Sequence, residues 1–537
     1  MVVVTYLLST IHSHSKTMWP SLAAFALLLL IFAASRISKF VTGLKKVRYL
    51  PGFRCALGSM SFPGSMLPTN YFNPGFDWCW KWRNKSYFSY RSQTISVVPF
   101  LSGVPVVYTC SIDVAKQILT QRGFWKDPEA TTPLTLWGNN LLAANHGVHR
   151  KHRKIVGPAF NGSAYAFVAQ ETSRLYAYMV ESEGWDKQQV VNLEPINGYV
   201  SKFALGLIAR CAFGLPFPWN TDNSNGMSFD RALMAVSSGT ILRLATPCWA
   251  YKLPIKRLHE VDEAFKNLAK FMRTFVTDKK AELASKGRGV NNSKDDLFTR
   301  LVAANEAEGK NGLEDQELIG NVFTFMFAGH ETTAHVLQAC LALLSIHPGE
   351  QETCYQNILQ VLGDSRDPNV GDFDALDKVL ACFEEAARMF PGVSMLVRDT
   401  EDMVSLILPP EDGGRTIVLE PGVRVVVDLV GIHYNPRIFP DPERFYPARW
   451  QGVRESDLPF FGWGPRACVG RKFALVEAVS FLALFLRDWQ VEPILRDDET
   501  NLQWRERTLQ GTLVGLAFGV RDVPLRLRRR GKGQRSI

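Results

Sequence analysis

Two long apolar stretches dominate the patterning of this chain. The first, Trp19 to Ala34, carries no charge and favours helix from Leu22 onward. Extended to Met18 and Ser35, it reaches about the lower length limit for a membrane span. The second, Asp315 to His347, reads as one long helix whose run from Leu318 to Phe327 is apolar on nearly every side. Such a helix passes through the centre of its body, and polar residues midway along it are costly unless they find partners. Ala328 and Thr332 are four apart and share a face, while Gly329 between them can allow a local widening of the helix. Glu385 and Arg388, three apart, place opposite charges on one helical face. Leu50-Pro51-Gly52-Phe53 breaks the N-terminal helix and begins the body.

The chain has 537 residues, 46% hydrophobic and 21% charged, enough to bury a large core. No Pro/Gly/Ser-rich linker or internal repeat divides it. Its net charge of +9 is concentrated at the two ends. Arg36, Lys39, Lys45, Lys46 and Arg48 follow the first apolar run; Arg526, Arg528, Arg529, Arg530, Lys532 and Arg535 close the chain. Without them the body is near neutral, which argues against nucleic acid as a partner and for a solvated basic tail. With only Lys16 before the apolar run, the positive-inside rule places the C-terminal body in the cytosol. A cleaved signal peptide is the rival, because Ala33-Ala34-Ser35 offers small residues. Nine scattered cysteines without a CxxC pair argue against a disulfide framework or a structural zinc site, and for a reducing compartment. The resulting division is 1–17, a short N-terminal segment; 18–35, a transmembrane anchor; 36–53, a basic linker and hinge; 54–525, the main body, to which the resemblance described next assigns the catalytic role; and 526–537, a basic tail.

Candidate chemistry centres on Phe461-Gly462-Trp463-Gly464-Pro465-Arg466-Ala467-Cys468-Val469-Gly470. Here a cysteine sits in a glycine-rich loop, with an arginine two residues before it. Glycines let backbone N–H groups approach a sulfur closely, and such donors hold a thiolate and tune it as a ligand. The segment resembles the haem-binding signature of the cytochrome P450 monooxygenases, and Ala328-Gly329-His330-Glu331-Thr332-Thr333 is similar to that family's oxygen-activation motif. Glu385-Ala386-Ala387-Arg388 and Pro442-Glu443-Arg444-Phe445 follow in the family's order, so the resemblance spans roughly Leu50 to Leu527. Leu50-Pro51-Gly52-Phe53 is similar to a reduced form of the proline-rich hinge of membrane-bound members, and the whole pattern looks most like fungal ones.

The resemblance implies a mainly α fold with small β-sheets, the cytochrome P450 fold, holding haem b between the long central helix and the cysteine loop. It makes Cys468 the metal ligand and adds Arg153, His149, Arg398, Arg466, Phe461 and Ala328 as cofactor contacts. His149 stands where the family usually has tryptophan, yet it shares a helical face with Arg153, four residues on. Thr332 and Glu331 take the catalytic roles of oxygen activation and proton relay. Two plainer readings stay open: a helical threonine often bonds its own backbone, and Glu331 could be half of an ion pair. Glu385, Arg388 and Arg444 form a charge network supporting the cysteine loop. Pocket walls come from Pro128 to Asn140, Phe325, Ala328, Val393 to Met395 and Gly511-Thr512. Arg150, Lys151 and Lys154 with Arg471 and Lys472 form a docking face for an acidic redox partner.

The implied activity is oxygen insertion, as hydroxylation or epoxidation, into a lipophilic substrate such as a terpenoid or other secondary metabolite. The implied partners are NADPH-cytochrome P450 reductase and cytochrome b5, at the endoplasmic reticulum membrane. The alternatives are a haem-thiolate isomerase or peroxygenase needing no reductase, and a non-catalytic haem or lipid carrier.

Overall fold

The computed structural model describes residues 2–128, 131–220, 227, 229–286 and 296–531, in two compact units. The smaller comprises residues 1–115 and 399–427, the larger 116–398 and 428–537.

The smaller unit begins with α1, Val2–Lys46. The basic linker expected from residue 36 is helix as far as Lys46. No proline interrupts Arg36 to Lys46, and tertiary contacts fix this part of the helix. Arg36 donates to the Leu101 carbonyl at 2.8 Å, and the Phe40 ring meets Phe100 edge-on at 6.0 Å between centroids. Ala23–Lys46 is long and apolar enough to cross a membrane, and Phe25 and Leu27 to Phe32 near its start are exposed. After the turn at Pro51, β1 (Gly52–Leu57) pairs in parallel with β2 (Thr94–Ser102). The antiparallel β3 (Val106–Thr109) follows, and the Arg424–Asp428 strand lies parallel to it.

The larger unit is mainly helical. Its helices include α2 (His146–Val156), α3 (Gly162–Ser182), α4 (Asn197–Phe213) and α5 (Phe229–Ala245). They continue with α6 (Asp315–Ser345), α7 (Asp377–Met389) and α8 (Arg471–Asp488). The central α6 starts at a capping box in which Glu314 and Glu317 each bond the other's backbone N–H, satisfying donors the first turn leaves open. It is buried from Leu318 to Phe327 and again from Thr333 to Ser345. The polar residues inside these runs do find partners. Asn321 accepts from the Leu141 N–H at 2.9 Å and meets His152 Nδ1 at 2.9 Å, while Gln338 donates to Asn197 and Ser201.

The basic end of the chain is not a solvated tail where it is described. Leu525–Arg529 is the middle strand of a three-stranded antiparallel sheet, between Trp489–Pro493 and Val190–Leu193. Leu525 and Leu527 point into the core, and Arg526 and Arg528 alternate with them outward. Lys532 and Arg535 lie outside the described residues.

Candidate functional site

Within the larger unit, α2, α6, the turn after α7 and the cysteine loop enclose a cavity of about 350 Å³. Cys468 lies deep in the protein yet has open surface, because that surface faces the cavity. Its backbone N–H donates to the Phe461 carbonyl at 2.9 Å, closing the loop on itself. Burial pushes the thiol pKa up, and the Gly470 N–H, Arg153 and Arg471 oppose that shift by favouring thiolate. Gly464 has to be glycine: its φ is +67°, and a Cβ there would stand 2.8 Å from Thr120 Cγ2. Gly470 reaches the sulfur with an ordinary φ of −87°, so its place rests on the N–H it presents.

One end of the cavity is cationic. Lys126, His149, Arg153, Arg398 and Arg466 all line it, and none is in an ion pair among the described residues. They bond neutral acceptors instead. Lys126 donates to the Leu142 carbonyl, Arg153 to Ala467 (2.8 Å), Arg398 to Val397 (2.7 Å) and Arg466 to Asn145 Oδ1 (3.3 Å). Arg466 Nη1 is buried without a hydrogen-bond partner among the described residues. Burial, reinforced by the neighbouring Arg466, lowers Arg398 to about 10; burial lowers Arg466 to about 10. The same causes push Lys126 well down and hold His149 at about 3, hence neutral. Buried charges without counter-charges are costly, so this end suits a ligand bearing carboxylates. Together with a cysteine sulfur facing the same space, the donor set fits haem, an iron macrocycle with two propionates. Lys126 was missed in the sequence; an isolated lysine in Phe124-Trp125-Lys126-Asp127 carries no local signal.

The rest of the lining is mostly apolar. Phe325, Ala328 and Val393 line the cavity as expected, and so do Thr332 of α6 and Phe461 of the cysteine loop. Ser394, Met395 and Gly511-Thr512 do not. The hairpin formed by Thr512–Val514 and Ala517–Gly519 contributes Leu516 and Ala517 instead. No described residue of the Pro128 to Asn140 loop reaches the wall, although Leu141 and Leu142 do; Glu129 and Ala130 lie outside the described residues. Thr332 Oγ1 donates to the Ala328 carbonyl at 2.9 Å, the back-bond open to a helical threonine. The helix stays α-helical through Gly329, whose expected widening is absent. A Cβ at Gly329 would meet Ile208 of α4 at 2.6 Å, so close helix packing accounts for the glycine. Glu331 does not line the cavity, and burial raises its pKa to about 7.

Below the cysteine loop, Glu385 is bonded on every side. Arg388 Nε and Nη2 grip its two oxygens at 2.8 and 2.9 Å, and the Tyr446 N–H and Trp450 Nε1 add bonds at 3.0 Å. The second arginine is Arg449, at 3.0 Å, and not Arg444. The 3-10 turn Pro447–Trp450 swings Arg449 inward, whereas the exposed Arg444 side chain stacks on Tyr446 and only its carbonyl accepts from Arg388. Trp450 packs on Phe460 at 5.7 Å and Phe460 on Phe461 at 4.9 Å, which joins this cluster to the cysteine loop.

The expected docking face is largely neutralised. Lys151 pairs with Glu317, Lys154 with Glu308, and Arg471 and Lys472 share Glu455; Arg150 stays exposed.

Comparison with known proteins agrees with this geometry. The cytochrome P450 family model matches residues 83–512. Cytochrome P450 monooxygenase 124 of Postia placenta is 30% identical over 88% of this chain and 92% of its own length. Cyclooctat-9-en-7-ol 5-monooxygenase of Streptomyces melanosporofaciens is 28% identical over 72% of this chain and 80% of its own. The solved haem domain of cytochrome P450DA superposes with a TM-score of 0.67 at 20% identity, covering 83% of this chain and 92% of that one. The chain belongs to the cytochrome P450 family and is a P450 monooxygenase.

Proposed function

We propose that this enzyme inserts oxygen into a lipophilic metabolite of terpenoid type, by hydroxylation or epoxidation, with electrons from NADPH delivered by a flavoprotein reductase and cytochrome b5 as a second donor. The observation that carries the reading is the cavity itself: one cysteine sulfur and a cluster of cations without ion-pair partners among the described residues share it with a mostly apolar lining. Bound haem supplies the oxygen chemistry.

The chain's residues do the rest. Cys468 Sγ is the iron ligand, and the Gly470 N–H and Arg153 stabilise it as thiolate. Lys126, Arg153, Arg398 and Arg466 hold the propionates, with neutral His149 as a further donor. Phe325, Val393 and Leu516 orient an apolar substrate and exclude water. The Thr332 hydroxyl, kept in place by the Ala328 carbonyl, borders the reaction space. Glu331, next to Thr332 but outside the cavity lining and with its pKa raised to about 7, can both hold and release a proton. A relative named for oxygenating an alkenol at position 5 supports the substrate class. With α1 as a span, the catalytic body lies on the cytosolic side of the endoplasmic reticulum membrane.

Expression with a reductase in microsomes tests this. The expected results are the carbon monoxide absorption band of thiolate-ligated haem, its loss in Cys468→Ala, and oxygenated products that require NADPH. Products formed without NADPH would instead assign an isomerase or peroxygenase. A thiolate band without any product would leave a carrier.

A further inference from the structure

Thr332 and Ala328 help to form the cavity wall, but the neighbouring Glu331 carboxyl turns into a junction of three elements. From α5, the Ser237 hydroxyl donates to Oε1 of Glu331. From the hairpin turn, the Leu516 N–H donates to Oε2 at 3.4 Å. Gly515 closes the junction with a φ of +64°; a Cβ there would lie 2.5 Å from Ser237 Oγ and 2.9 Å from Glu331 Oε1. Only glycine lets the turn come this close. Leu516 itself lines the cavity, so one residue borders the substrate space and bonds the carboxylate through its backbone.

We propose that Ser237 is a positioning residue for the Glu331 carboxyl, and that α5 and the Gly515-Leu516 turn together hold this proton-carrying group ready beside the cavity. This rests on the monooxygenase reading above. A shift of α5, or a substrate pressing on Leu516, changes the bonds to Glu331 without touching it directly. Proton supply is thereby tied to the filling of the cavity. Removing either bond alters both where the carboxyl sits and how readily it ionises, since each favours the charged form against burial.

Charged groups on the packed elements are engaged elsewhere. Arg243 of α5 pairs with Asp262 at 2.8 Å, and Arg521, after the hairpin, donates to the Leu513 carbonyl at 2.9 Å. His335, one turn along α6, is held neutral by burial and meets Gln338 Oε1 at 3.2 Å. Glu331 has no ion pair among the described residues.

The test is an infrared pH titration of the Glu331 carboxyl in the full-length holoenzyme, with the band assigned by its loss in Glu331→Gln. Ser237→Ala is expected to move the midpoint to higher pH, and the alkaline limb of reductase-driven NADPH consumption should follow it. Ser237→Thr, which keeps the hydroxyl, should restore both. A hydroxyl that merely packs would leave both unmoved. If Ser237→Ala does not fold, Gly515→Ala forces a methyl between the same two side chains and should move the midpoint in its place. An unchanged midpoint in protein that shows the thiolate carbon monoxide band overturns the role of Ser237 alone. Absence of that band from the wild-type chain overturns the monooxygenase reading, and this inference with it.

Discussion

The larger unit contains two buried clusters of charge, and they are built in opposite ways. Around Glu385 every charge is answered: the Glu385 and Arg388 side chains are both 0% exposed, and backbone, indole and Arg449 donors complete the carboxylate. At the cavity, four cations and a neutral histidine gather without an ion-paired carboxylate, and one guanidinium nitrogen lacks a hydrogen-bond partner, among the described residues. A closed cluster holds the fold together. An open one is completed by what binds. Burial cost is present in both, but only the second leaves it to a ligand to offset.

The largest effect that would break this contrast is in the closed cluster. Arg388→Ala leaves the Glu385 carboxylate with a buried, partly unanswered charge, and should cost about 3–5 kcal/mol in urea unfolding, with little haem retained. Next, Arg449→Ala should cost about 1.5–3 kcal/mol, the range of a hydrogen bond to a charged group. Arg444→Ala should stay within about 0.5 kcal/mol, as exposed positions do. Equal losses at the two positions would return Arg444 to the network.

In the open cluster the sign for the haem-free chain should reverse. Arg466→Ala removes a cation crowded by others, so the apoprotein should melt no lower than wild type. The holoprotein, however, should release haem roughly tenfold faster in transfer to apomyoglobin, for the loss of one charge-assisted bond of about 1.5 kcal/mol. Apoprotein destabilised like Arg388→Ala would show that the cluster is structural after all.

A last contrast separates the clusters by pH. His433, whose carbonyl accepts from Arg388, is buried with no hydrogen-bond partner for either ring nitrogen among the described residues, and burial lowers its pKa from 6.5 to about 3. The unfolded chain therefore binds this proton between pH 6.5 and 3 while the folded chain does not. Its contribution is fully present above pH 6.5 and is lost as the pH falls toward 3. His433→Phe should flatten the acid limb of stability in that window, as followed by circular dichroism.

How much of this was readable in the sequence depended on whether the signal was local. The long apolar run made α6 legible, and the cysteine loop carries its glycine and arginine within ten residues. The charge pair Glu385–Arg388 lies on one helical turn. The choice between Arg444 and Arg449 depends on a 3-10 turn that no periodicity announces. Lys126 meets the cysteine loop only through the fold. At Leu525–Arg529 the alternation of leucine and arginine was a strand signal, and the run of positive charge outweighed it. Thr332 and Glu331 were placed by motif, but the motif says nothing of Ser237, which lies on another helix.

The continuity of α1 also has a mechanical side. A helix that runs without interruption into Arg36 and Phe40, where it is fastened to the end of β2 and the residues beside it, behaves as a mast and not as a tether. Each residue added to such a rod lifts its cargo by about 1.5 Å and turns it by about 100°. If α1 spans a membrane as proposed, a one-residue insertion before Arg36 would swing the smaller unit about the membrane normal, whereas the same insertion in a floppy hinge would be absorbed unnoticed.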